Sequence, residues 1–258
     1  MRPILELEPE RARGLRGLLF DLDDTVLDHG RLTPPAFEAL ERLGKSDLTL
    51  VAVTGRPAAW AQVLVRLWPL SGMVAENGNI AVNRSQGRAH LLDRLPPGER
   101  ATRTRRLADL ALEMVERFPE LERDDGLGRL TDVAFDVAEH RRVPAGVIQS
   151  AIDFARTRGA RTCVSSIHLH VTFDTDDKAT GTLRYLNIAH GIDPTEARTK
   201  FAFVGDSEND AAAFAAFDCS IGVANLCGRW TRPPAYRTTA ERGAGFREAA
   251  LHLLRLRE

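Results

Sequence analysis

Three short apolar runs, each ending on a residue that can do chemistry, constrain this chain more than any other feature. Residues 15–20 (LRGLLF) end at Asp21, residues 48–53 (LTLVAV) at Thr54, and residues 200–205 (KFAFVG) at Asp206. Continuous apolar runs this short read as strands covered on both faces. Helical patterns lie between the first strands. Thr33 and Pro34 suit an N-cap and a first helical position, Ala36, Leu40 and Leu43 follow at helical spacing, and Gly44 is a stop. Pro57 opens a second helix, with Trp60, Leu64 and Leu67 on its apolar stripe. Residues 72–76 give a third strand, ending in Glu76-Asn77-Gly78. Strands alternating with helices at this spacing predict a parallel sheet with helices on both faces, an α/β, Rossmann-like doubly wound core.

The pattern changes after residue 82. A charged helix is expected at 98–117, with Leu107, Leu110 and Met114 as its apolar stripe. In residues 131–140 (TDVAFDVAEH), Val133, Phe135 and Val137 alternate with polar or small residues, as in a strand with one covered face. A helix over 144–158 and a strand over 163–173 complete the segment. Residues 83–173 are thus predicted to be an α+β cap inserted into a core of residues 1–82 and 174–258. The parallel pattern then resumes, with a helix over 178–190, strands over 200–205, 219–225 and 235–239, and a C-terminal helix over 243–257. That last helix carries Phe246, Ala250 and Leu253 or Leu254 on one side.

Charge and cysteine content exclude several classes. The 35 Lys and Arg nearly balance the 36 Asp and Glu, for a formal net charge of -1 in 258 residues. A nucleic-acid wrapper or polybasic membrane binder would carry a large basic excess. No run approaches the ~18 apolar residues of a membrane span, and the N-terminus lacks a signal-peptide apolar stretch. Cys163, Cys219 and Cys227 are too scattered for a disulfide framework or a zinc knuckle and read as plain core or loop thiols. A cytoplasmic protein is expected, monomer or homodimer, with a small-molecule ligand and neither nucleic acid nor membrane as partner.

In a parallel α/β sheet the C-terminal strand ends converge on one edge, where ligands bind. Asp21 and Asp23 follow one strand and Asp206 and Asp210 another, so four carboxylates are expected to meet there. They repel unless a cation sits among them, and Mg²⁺ takes oxygen ligands together with substrate phosphate. Thr54 and Lys178 add a hydroxyl and an ammonium for phosphate oxygens. This set suits phosphoryl transfer. Other candidates fail or carry less. Gly44-Lys45-Ser46 lacks the first glycine of a Walker A loop, where Ala39 stands. Asp174, Asp176 and Asp177 resemble the start of a calcium loop, but Tyr185 occupies its twelfth place. His168 and His170, two apart, share a strand face. No carboxylate or cysteine of clear ligand spacing accompanies them, so they are expected to face substrate. Arg100, Arg103, Arg105 and Arg106 read as a solvated helix face.

FDLDDT (20–25), VTGR (53–56), Lys178 and GDSEND (205–210) resemble, in order and spacing, the four motifs of the haloacid dehalogenase superfamily. ENG (76–78) and the large insert resemble its subfamily IIB, with the α+β cap, which includes Cof-type sugar phosphatases, sucrose-phosphate, mannosyl-3-phosphoglycerate and trehalose-phosphate phosphatases. Phosphomannomutases share the core. Asp24 stands where a glycine is common in the first motif. The resemblance implies Mg²⁺-dependent hydrolysis of a small phosphorylated sugar or glycoside through an aspartyl-phosphate. Asp21 would be the nucleophile, Asp23 the general acid and base, and Thr54 and Lys178 would hold the phosphoryl group. Asp21, the Asp23 carbonyl, Asp206 and Asp210 would serve the metal. Gly55, Arg56, Asn77, His168, His170 and Asn209 are the expected substrate-side residues, with Ser207 supporting. The alternatives are phosphomannomutase-like transfer to a sugar and a non-catalytic phosphosugar-binding protein.

Overall fold

The computed structural model describes residues 1–124, 126–226 and 231–258. Cys227 lies outside the described residues. Nine strands form the main sheet among the described residues, in the order Arg2–Pro3, Tyr236–Arg237, Cys219–Gly222, Phe201–Gly205, Gly17–Phe20, Thr49–Val53, Gly72–Ala75, Ile80–Ser85 and Arg88–Leu92. The first seven run parallel. The last two form an antiparallel hairpin on Gly72–Ala75, so the main sheet continues to Leu92, ten residues past the predicted boundary. Sequence patterning missed this hairpin because its outer strand is mostly exposed and carries Arg88 and His90.

Successive residues of the central strands point to opposite faces, as the period of two requires. Leu18, Phe20, Leu50 and Ala52 pack in one core with the helices Pro34–Gly44, Ala58–Leu67 and Arg242–Arg257. Leu19, Val51, Val53 and Phe203 pack in the other with Lys178–His190 and Ala211–Ala216. The sheet is therefore doubly wound, as predicted. Two local expectations are corrected. Ala58–Leu67 buries Ala58, Ala61 and Val65 rather than Leu67, which is 69% exposed; Trp60 and Leu64 only flank the core. Thr33 stands at its N-cap position, but its side chain makes no capping hydrogen bond, and the fixed φ of Pro34 and Pro35 starts the helix instead.

The inserted α+β cap is a four-stranded antiparallel sheet in the order Arg161–Val164, His168–Thr172, Asp132–Asp136, Glu122–Asp124. The helices Pro97–Arg117 and Ala145–Thr157 cover one face through Leu107, Leu110, Met114, Val133, Phe135, Leu169 and Val171. The other face carries Asp132, Ala134, Asp136, His168, His170 and Thr172, aligned by register. All of these are buried, so Asp132–Asp136 is not the half-covered strand its alternation predicts. Its polar face is covered by the rest of the protein, which one-dimensional patterning cannot show. The predicted strand over 163–173 is a hairpin turning at Ser165–Ile167, where the Ser165 hydroxyl accepts from the Ile167 and His168 N–H groups.

The arginine run is not a solvated face at its start. Arg100 donates to Asp93 and Asp174, and Arg103 donates to Asp174 and to the Phe173 carbonyl. Both chain crossings between core and cap are thereby pinned together by one buried carboxylate, Asp174, which the calcium-loop comparison had singled out.

Candidate active site

Asp21 and Asp206 leave neighbouring parallel strands at the same level, since Phe20 pairs with Val204 and the Asp21 N–H donates to the Val204 carbonyl. Thr54 leaves the next strand, its N–H donating to Val74. Lys178 is the first residue of its helix, which is started by an Asp177–Thr180 capping box. Glycines allow that helix end to dock: a Cβ on Gly78, at φ 105°, would collide with the Asp177 carbonyl, and one on Gly181 would strike Gly78. Only glycine combines that φ with so close an approach.

The Lys178 ammonium lies 2.9 Å from Asp21 Oδ1 and 2.7 Å from Asp210 Oδ1. The other Asp210 oxygen accepts the Asp206 and Ser207 N–H groups at 3.0 and 3.1 Å. Gly205 makes room for this carboxylate, which a Cβ would displace. Asp21, Asp206 and Asp210 offer oxygens within 4.8 Å of one another, all buried. Burial raises the Asp21 pKa to about 7; Lys178 opposes the shift, and Asp210 and Asp23 add to it. Burial, then Asp21 and Asp210, push Asp206 well above the carboxylate range. Burial alone would lower Lys178, but Asp21 and Asp210 outweigh it and the net shift is upward. Three crowded carboxylates with one ammonium hold surplus negative charge. Their hard oxygens fit a divalent cation such as Mg²⁺, which would relieve the repulsion.

Asp23 lies beside this cluster, gripped by Arg56, whose Nε reaches both carboxylate oxygens (3.1 and 2.9 Å) and whose Nη2 reaches Oδ1 at 2.9 Å. The guanidinium also covers the Trp60 ring at 4.8 Å and donates to Glu139 Oε1 of the cap at 3.1 Å. A cavity of about 280 Å³ opens here, lined by Asp23, Asp24, Arg56, Glu139, His140 and Ile167 among others. A second cavity, about 210 Å³, is lined by Lys178, Asn77, Asn209, His170, Asp132 and Cys163 among others. Asn77 accepts from Asn209 at 3.3 Å, while its own side-chain NH₂ is buried without a partner. That orphan donor suits a ligand oxygen, because an unpaired buried donor is otherwise costly. Gly55 packs under the His170 ring, so the cap touches the Thr54 loop directly. His168 is not in this group; it lies with Asp124 and Glu139.

Sequence reasoning missed the residues that join cap to core. Glu76, fully buried, accepts from the Ala58 N–H of the core and from the Leu130, Thr131 and Asp132 N–H groups and the Thr131 hydroxyl of the cap. Burial, then Asp132, raise its pKa. Arg129 donates to the Gly55 carbonyl and to Asp132, which in turn holds His170 Nδ1 at 2.9 Å. Glu76 was visible only as part of ENG, with no signal for its partners more than fifty residues on. Arg129 and Asp132 carry no local signal at all.

The model of a family described as haloacid dehalogenase-like hydrolase matches residues 18–100. No curated protein matches the chain significantly. Among solved structures, a Thermoplasma acidophilum protein aligns with TM-score 0.74 at 17% identity, covering 93% of this chain and 98% of its own. The Synechocystis sucrose-phosphatase, in complex with sucrose and phosphate, aligns with TM-score 0.65 at 18% identity over 93% and 98%. The C-terminal domain of Candida albicans trehalose-6-phosphate phosphatase gives 0.68 at 12% identity over 96% and 94%. These likenesses show a shared fold along almost the entire chain. Asp21, Thr54 and Asp206 lie at the strand ends of that fold and Lys178 at a helix start facing them, and the match to the haloacid dehalogenase-like hydrolase family begins on the strand that delivers Asp21.

Proposed function

We propose that the chain is a phosphate monoester hydrolase in which Asp21 attacks phosphorus. The observation that carries this reading is the buried Lys178 ammonium joining Asp21 to Asp210. It fixes one Asp21 oxygen at the strand end, with Asp206 within 4.8 Å and Thr54 at the end of the neighbouring strand. An Asp21 oxygen forms a bond to phosphorus as the ester P–O bond breaks, and Asp23 gives its proton to the departing alcohol oxygen. Asp23 then takes a proton from water, which attacks phosphorus and breaks the P–O bond to Asp21. Lys178, the Thr54 hydroxyl and the orphan NH₂ of Asn77 hold the phosphoryl oxygens. Asp21, Asp206 and the Asp23 carbonyl would hold Mg²⁺, with Asp210 in support through its grip on the Asp206 and Ser207 backbone. Bound there, the ion offsets the charge of the carboxylates and the phosphate.

The inserted segment acts as the specificity cap, closing both cavities over the strand ends and keeping bulk water out. The favoured substrate class is a small phosphorylated sugar or glycoside. Two compact cavities with charged and amide side chains in their walls support it, as do two similar folds named for sugar-phosphate hydrolysis. The test is phosphate release from a panel of phosphorylated sugars, with Mg²⁺ and with EDTA, for wild type and Asp21→Asn. Metal-dependent release that falls by about three orders of magnitude or more in the variant is expected, with an unchanged circular dichroism spectrum. Equal turnover by the variant would remove Asp21 as nucleophile. Isomer interconversion of a hexose phosphate without phosphate release would replace hydrolysis by mutase chemistry.

A further inference from the structure

A second convergence of ligand-type atoms lies in the cap. Asp124 ends the edge strand Glu122–Asp124, His168 begins the strand His168–Thr172, and Glu139 follows the strand between them. His168 Nε2 is 2.6 Å from Asp124 Oδ2 and 3.1 Å from Glu139 Oε2, and all three donor atoms lie within 4.8 Å of one another. His168 is only 2% exposed. Its Nε2 points among the two carboxylates yet meets hydrogen-bond geometry with neither, and Glu139 Oε2 is likewise buried without a hydrogen bond. These contacts are at ion-pair distance but lack hydrogen-bond geometry, and buried polar atoms without hydrogen bonds are costly. A cation bonded to all three removes that cost.

We propose that Asp124, Glu139 and His168 form a second divalent-cation site, on the cap, suited to Zn²⁺ rather than Mg²⁺. An imidazole nitrogen with two carboxylates matches zinc, whereas Mg²⁺ keeps to oxygen ligands and water. Tetrahedral zinc with bonds of about 2.0–2.2 Å sets its ligand atoms roughly 3.4 Å apart. The two His168 Nε2 separations lie within about 1 Å of that spacing, a gap that side-chain rotation can close. Asp124 and Glu139 keep about a fifth of their side-chain surface exposed, which leaves an entry path and a fourth position for water. Glu139 meets the ion through Oε2, because Oε1 already accepts from Arg56. That arginine grips Asp23, so the cap site is coupled through two charged contacts to the catalytic edge. It is independent of the hydrolase reading, since it shares no ligand with the Asp21 cluster.

The test titrates Zn²⁺ into the metal-free chain against a chromophoric chelator, without substrate, in an Asp206→Asn background that weakens the core cluster. Co²⁺ absorption serves as a second readout of the ligand set. One zinc site persisting in Asp206→Asn is expected, weakened at least about tenfold by His168→Gln and by Asp124→Asn. Asp124 lies on an edge strand and is partly exposed, so its variant keeps the proposal testable should His168→Gln fail to fold. Zinc affinity unchanged by Asp124→Asn, or no zinc bound in Asp206→Asn, would overturn it.

Discussion

Lys178 is a buried cation shared by two buried carboxylates. It is 1% exposed and its ammonium pairs with both Asp21 and Asp210. Removing one partner of a buried pair leaves the other charge uncompensated, at a cost of about 3–5 kcal/mol. Lys178→Met should therefore lower metal-free stability by that order in urea melts. Adding Asp210→Asn should restore part of the loss, because it removes one of the stranded charges. No recovery would mean that Lys178 acts through packing. Glu139 shows the opposite behaviour. The His168 imidazole, ahead of the Arg56 guanidinium, holds its carboxyl at about 2 against an ordinary 4.5. A depressed folded pKa stabilises above the unfolded value and loses its effect as pH falls through the folded one. The stability gap between wild type and Glu139→Gln should thus be full above pH 4.5, shrink below it and vanish near pH 2. A gap that grows on acidification would contradict the pairing.

At the scale of elements, Glu76 is the staple between the sheet edge and the cap. One carboxylate receives N–H groups from the start of the helix Ala58–Leu67 and from three consecutive cap residues. Such charge-assisted bonds are stronger than neutral ones. Glu76→Gln keeps the shape but turns an NH₂ toward those donors, at a cost of about 1–3 kcal/mol. Amide exchange should accelerate first at Leu130, Thr131 and Asp132, before the central strands Gly17–Phe20 and Thr49–Val53 respond. Uniform acceleration throughout the chain would show a global loss of stability instead. The Asp174 network pins both chain crossings, through Arg100 and Arg103. Cap and core are thus tied by several charged contacts, while the cap retains an apolar core of its own.

For the whole molecule, the surplus negative charge at the strand ends predicts how metal and stability are linked. An ion that binds only the folded chain stabilises it, by about 2.7 kcal/mol at a hundredfold excess over Kd. For a chain of this size that is roughly 5–10 °C in Tm. Mg²⁺ should raise the wild-type Tm by that order and that of Asp206→Asn by much less. Equal shifts would place the ion elsewhere. The membrane question has a narrower answer: no helix among the described residues is long and apolar enough to cross a bilayer.

The amino-acid sequence by itself determined the parallel core and the residues at its edge. Asp21, Thr54 and Asp206 end contiguous apolar runs, and Lys178 opens a helix. Strand periodicity and strand ends are local properties, so local patterning suffices to read them. Tertiary structure alone decided that Arg56 grips Asp23, that Glu76 clamps residues 130–132, and that His168 meets Asp124 and Glu139 rather than the Asp21 cluster. Each of these joins residues that only the folded chain brings together. A buried charge selects its partner by proximity in space, across separations of more than thirty residues between Asp23 and Arg56 and more than fifty between Glu76 and Thr131. No periodicity along the chain encodes that choice.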